Sequence, residues 1–191
     1  MKTRKINVTL GIIAAISIII IGYQYFNNHF SNEGILENVT TRNGYVLNQI
    51  DEPVTVKTFI KPEWISFESD KKQVLDKEMA EIYSTNIILD YSWNRGRDIC
   101  FAFESSYNMN YNGGKFLYNG KFNEDGSFTY NSKENGITLY SINQKKLDIG
   151  QWGVGPGSSF SFCVEPQYYE EIKDGFYVEY TDYNLYEYTR K

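Results

Sequence analysis

The sequence predicts a mostly β fold: a single N-terminal transmembrane helix followed by an antiparallel β-sandwich or barrel-like extracytoplasmic domain carrying one amphipathic helix. Three observations point there. Ile6 to Phe26 is an almost unbroken apolar run without charge, preceded by Lys2, Arg4 and Lys5. Beyond it, short stretches of alternating apolar and polar residues recur at about ten-residue spacing between Gly, Asn, Asp and Pro clusters, the pattern of an all-β domain. Aromatic residues make up 17% of the chain, with 17 Tyr and 12 Phe, and both types favour strands.

Residues 1–5 read as a cytoplasmic n-region and 6–26 as a transmembrane signal anchor. About 20 apolar residues span the roughly 30 Å hydrocarbon core. The next Lys or Arg after the run is Arg42, with Glu33 and Glu37 between, so the positive-inside rule places the N-terminus in the cytoplasm and the rest of the chain outside. Tyr23, Tyr25 and Phe26 would mark the outer interface. Cleavage as a signal peptide is disfavoured, because Gly22 is the only small residue near the end of the run and Ile20 is its wrong partner. Residues 27–43 are polar, with Ile35, Leu36 and Val39 scattered through them, and read as a stalk or lead-in segment. The β-rich domain follows at 44–191.

Within that domain, Tyr45–Ile50 and Val54–Ile60 alternate as strands about Asp51-Glu52-Pro53. Ser69–Tyr83 reads as the amphipathic helix: Asp70 can cap it, Gln73 follows three later, and Val74, Leu75, Glu78, Met79, Ile82 and Tyr83 trace one stripe. Thr85, Ile87, Leu89, Tyr91 and Trp93 share one strand face, and Ile99–Phe103 forms the next strand. Asn119-Gly120, Asp125-Gly126 and Asn135-Gly136 are tight-turn signals, because type I′ turns need residues that accept positive φ. Two-residue loops there pair Tyr118 with Lys121 and Phe128 with Asn123. Leu147–Gly157 is a glycine-rich loop around Trp152, Ser159–Val164 alternates cleanly as a strand, and Phe176–Tyr188 is one long strand or a hairpin.

The chain offers little recognisable chemistry. Its single histidine, His29, sits beside the anchor, which excludes Ser-His-Asp and multi-histidine metal chemistry for the outer domain. Gly153-Val154-Gly155-Pro156-Gly157 lacks the Gly-Lys-Ser/Thr of a phosphate loop. No cofactor is implied. The chain carries a net charge of −5 and its first 26 residues hold three basic and no acidic side chains, leaving the outer part at −8. Nucleic acid is therefore excluded as a partner.

Cys100 and Cys163 both lie on small-residue strand faces and form a candidate disulfide, which the outer compartment permits. Trp152, Tyr168 and Tyr183 are the candidate aromatic binding surface for a protein or glycan. Asp90, Glu104, Glu165 and Glu179 fall in or next to strands, where two of them could pair as in glycosidases. The expectation is an anchored extracytoplasmic binding or interaction protein that is not an enzyme. The alternatives are a structural or assembly subunit of an envelope complex, and a glycan hydrolase using a carboxylate pair.

Overall fold

The computed structural model describes residues 2–123, 127–130 and 136–191, with the backbone alone over 2–14. Helix α1 spans Lys2–Phe30 and α2 spans Asn32–Thr40. Among the described residues no helix is long and apolar enough to cross a membrane.

The segment read as a stalk is largely helical and docked. Ser31 caps α2, its hydroxyl accepting from the Gly34 amide at 3.0 Å. Ile35, Leu36 and Val39 fall at helical spacing, and Ile35 and Val39 are fully enclosed. Gly34 permits the tight bend between the helices, since a Cβ there would collide with the Asn27 carbonyl oxygen.

The described strands are β1 (Tyr45–Ile60), β2 (Lys72–Ile82), β3 (Thr85–Asn94), β4 (Ile99–Tyr107), β5 (Gly113–Tyr118), β6 (Gly120–Phe122), β7 (Phe128–Tyr130), β8 (Ile137–Ser141), β9 (Lys146–Leu147), β10 (Trp152–Val154), β11 (Phe160–Val164) and β12 (Phe176–Arg190), with the one-turn helix α3 (Tyr169–Ile172) before β12. Among the described residues they make two five-stranded antiparallel sheets and a β6-β7 ribbon. One sheet runs β1-β12-β8-β9 with β5 also paired to β12, and the other runs β10-β11-β4-β3-β2. The two sheets enclose one core, to which Val56, Leu139, Phe176 and Tyr180 contribute from the first and Leu89, Phe101, Phe103, Phe160 and Phe162 from the second.

A second cluster lies on the opposite side of the first sheet, where α2 meets Tyr45, Leu47, Phe116, Phe122, Tyr186 and Tyr188. Strand β12 serves both clusters because of one extra residue: Tyr180 pairs with Val56 and Tyr183 with Val54, so three β12 residues match two on β1. Such a bulge reverses which side chains face in. Phe176, Val178 and Tyr180 point into the core before it, Tyr183 and Leu185 after it, and Tyr186 and Tyr188 point the other way.

The amphipathic helix expected over Ser69–Tyr83 is instead strand β2, paired to β3. Two one-residue bulges, between Val74 and Lys77 and between Glu78 and Ala80, break its period-2 alternation. The inward residues Leu75, Met79 and Ile82 then recur at three- and four-residue spacing, which imitates a helix. Asp76, in the first bulge, adopts a positive φ of 47°.

Three turn expectations also change. Asp51-Glu52-Pro53 interrupts the pairing of β1 without ending it. Asn119-Gly120 is not a hairpin turn: Asn119 is buried, its amide donating to Ser158 Oγ and its side chain to the Ser159 carbonyl, each at 3.0 Å. The following ribbon pairs Phe122 with Phe128 and Gly120 with Tyr130, one residue out from the two-residue-loop register. Asp125-Gly126 and Asn135 lie outside the described residues.

Candidate functional site

Cys100 on β4 and Cys163 on β11 are direct partners in the ladder, with Cα atoms 3.9 Å apart, and a disulfide joins them. They sit on the outer face of the second sheet, because Phe101 and Phe103, the alternate residues of β4, point into the core. The turn before β4 supplies an ion pair against them. Arg95 Nε and Nη2 donate to the two Asp98 oxygens at 2.7 and 2.6 Å, and Nη2 also reaches Gln151 Oε1 at 3.0 Å and Cys163 Sγ at 3.4 Å. Hydrogen bonding from Arg95 holds the Asp98 carboxyl below its ordinary range.

Asp98, Cys100 and Cys163 bring three potential ligand atoms within 4.8 Å of one another. They do not fit a metal as they stand, since the sulfurs are bonded to each other and Arg95 occupies both carboxylate oxygens; metal ligation by cysteine requires thiolate.

The disulfide-bearing strand also fixes the glycine-rich loop. The Gly150 amide donates to the Cys163 carbonyl at 3.0 Å and the Cys163 amide to the Gln151 carbonyl at 2.8 Å, after which Trp152 pairs with Phe162. This holds Trp152 at the open edge of the sheet, 38% exposed. Trp152 lines two depressions. One, of about 250 Å³, also contains Lys146, Asp148 and Thr138; the other, of about 220 Å³, contains Tyr91, Trp93, Arg95 and Gln151. No protein family, curated protein or solved structure matches the chain. Function must therefore be argued from this surface.

Of the three aromatic candidates, the structure brings two to one region. Tyr168 donates its hydroxyl to Asp148 Oδ2 at 2.6 Å, beside the Trp152 depression, and that carboxylate holds the Tyr168 hydroxyl above its ordinary pKa. Tyr183 is not a surface residue. It is 4% exposed in the core, its ring edge-on to Tyr180 at 4.7 Å and its hydroxyl 3.1 Å from Ser105 Oγ, and burial pushes it up to about 12. The β12 bulge turned it inward.

Of the four candidate carboxylates, Asp90 and Glu104 line one depression, the third, of about 280 Å³, whereas Glu165 lies beside Gly150 and Glu179 is ion-paired to Lys57 at 2.9 Å. His29 stacks on Tyr25 of its own helix at 4.4 Å between ring centroids.

Sequence reasoning missed Trp93, Tyr91 and Arg95. Alternation placed Tyr91 and Trp93 on the same face as Ile87 and Leu89, but β3 carries one extra residue at Asp90 between Leu89 and Tyr91. Past that bulge Tyr91 pairs with Ala102 and Trp93 with Cys100, so both join the outer face, and Trp93 is 39% exposed. No pattern in the residue string marks the bulge.

Proposed function

We propose that this chain is a single-pass protein anchored in the cell membrane through residues 6–26, with its N-terminus cytoplasmic and its β domain outside. That domain binds a protein or glycan partner through the surface around Trp152. The uncharged run behind Lys2, Arg4 and Lys5 supports the anchor and its direction. The Cys100–Cys163 disulfide supports an oxidising location.

The observation that carries the binding reading is the placing of Trp152. A large ring left half-open at a sheet edge, between two depressions and tied to a disulfide-linked strand, is pre-organised for contact, and pre-organisation lowers the cost of binding. Aromatic anchors of this kind supply most of the energy of an interface.

Protease added to intact cells or spheroplasts tests the topology. It should remove the β domain and leave a fragment containing residues 1–26 in the membrane. Digestion only after permeabilisation would refute the orientation.

A further inference from the structure

We infer that the Trp152 surface is a groove for a neutral, extended oligosaccharide; this rests on the binding reading above and narrows its ligand class. The three depressions adjoin. Trp152 lines the first and second, while Tyr91, Gly153 and Ser161 line both the second and the third. A continuous track thus crosses the edge strand β10 and runs along the outer face of the sheet. At about 250, 220 and 280 Å³ each depression is smaller than the roughly 300–1,000 Å³ of a small-molecule site, and none is enclosed, so a chain spanning all three fits better than a compact ligand.

The chemistry of the track selects the chain. Trp93 and Trp152, 39% and 38% exposed, both line the second depression, and a pyranose can pack its C–H face on such rings as apolar surface packs on any aromatic ring. Between and beyond them lie the Gln151 amide and Arg95 guanidinium in the middle and the Asp148 carboxylate at one end, held in place by bonds to each other, to Asp98 and to Tyr168. A side-chain amide, a guanidinium and a carboxylate each have donor or acceptor capacity beyond such bonds, with which to meet single sugar hydroxyls. The exposed wall of the first depression is mostly polar, which disfavours a lipid or apolar segment there, while the second, which both Trp residues line, is mixed polar and apolar.

Charge disfavours the polyanions. Lys146 and Asp148 offset each other at one end, Asp90 and Glu104 stand at the other, Arg95 is already neutralised by Asp98, and the outer part of the chain is at −8. A peptide strand is disfavoured for another reason: β10 is the sheet edge but is three residues long and leads through Gly155 into Pro156, so it offers few backbone groups for strand addition.

The test uses the full chain in a non-glycosidic detergent, because sugar-headed detergents would compete. Tryptophan fluorescence and calorimetry would follow titration with neutral hexasaccharides of glucose, N-acetylglucosamine, mannose and galactose, a galacturonate hexamer, and an uncharged extended decapeptide. At least one neutral hexasaccharide should bind saturably and the uronate at least about tenfold more weakly. Trp152→Ala and Trp93→Ala should each weaken the neutral sugar by about 30-fold, the loss typical of a central ring. Val46→Ala, exposed on β1 at the edge of the other sheet, should leave binding unchanged.

Uronate binding as tight as that of the neutral sugar, or no sugar binding at all, overturns the glycan inference. If the decapeptide alone binds and both Trp variants lose it, the sugar class is wrong while the Trp152 surface stands. A neutral sugar that binds equally to wild type and both variants would overturn the site itself.

Discussion

Phe160→Ala should lower the folding stability by about 4 kcal/mol, the middle of the range for removing a buried ring. Phe160 is where the two sheets meet. Its ring is stacked on Phe103 of the same sheet at 4.6 Å and 4°, and on Tyr180 of the opposite sheet at 4.1 Å and 2°. The truncation removes the transfer energy of a ring that is 4% exposed, leaves a cavity between strands that cannot close without shifting both ladders, and breaks two stacked pairs worth about 0.5–1.5 kcal/mol each. Urea unfolding of the full chain in detergent measures it. A loss below about 1 kcal/mol would mean that the sheets do not share this core.

Replacing both Cys100 and Cys163 by Ala should cost about as much, for a different reason. The cysteines are 63 residues apart in sequence, and closing a loop of that length removes about 4 kcal/mol of chain entropy from the unfolded state. The native ladder should persist, since strands β4 and β11 remain paired through Phe103–Phe160 and Phe101–Phe162. The loss should therefore appear as a lower denaturation midpoint with a native-like circular dichroism spectrum. Wild type treated with reductant should match the double variant, and an unchanged midpoint in both would show that the bond does not constrain the fold.

The sequence made the class of this fold legible but not its faces. Alternation and turn residues gave an antiparallel β domain, and the clean Ser159–Val164 pattern became β11, with Cys163 opposite Cys100. What failed were the places where a strand carries one extra residue. At Asp90 the insertion sends Tyr91 and Trp93 outward, in β12 it sends Tyr183 inward, and in β2 two of them give a strand the spacing of a helix. A bulge is fixed by ladder partners distant in sequence, so local periodicity cannot register it. The same limit applies to Asn119-Gly120, whose turn chemistry yields to Asn119's buried bonds with Ser158 and Ser159. Of the candidate surface, Trp152 and Tyr168 were legible as aromatics near loops, whereas Arg95 and Gln151 join them only through contacts across the sheet.

The most direct measurement is crosslinking in intact cells, with a photoreactive phenylalanine analogue placed at position 152 and, as control, at position 46 on β1 of the other sheet, where Val46 is 42% exposed. Illumination followed by denaturing purification should yield a discrete adduct from position 152 and none from position 46. Adducts of equal yield at both positions, or an adduct at 46 with none at 152, would contradict the assignment of the Trp152 surface as the binding site.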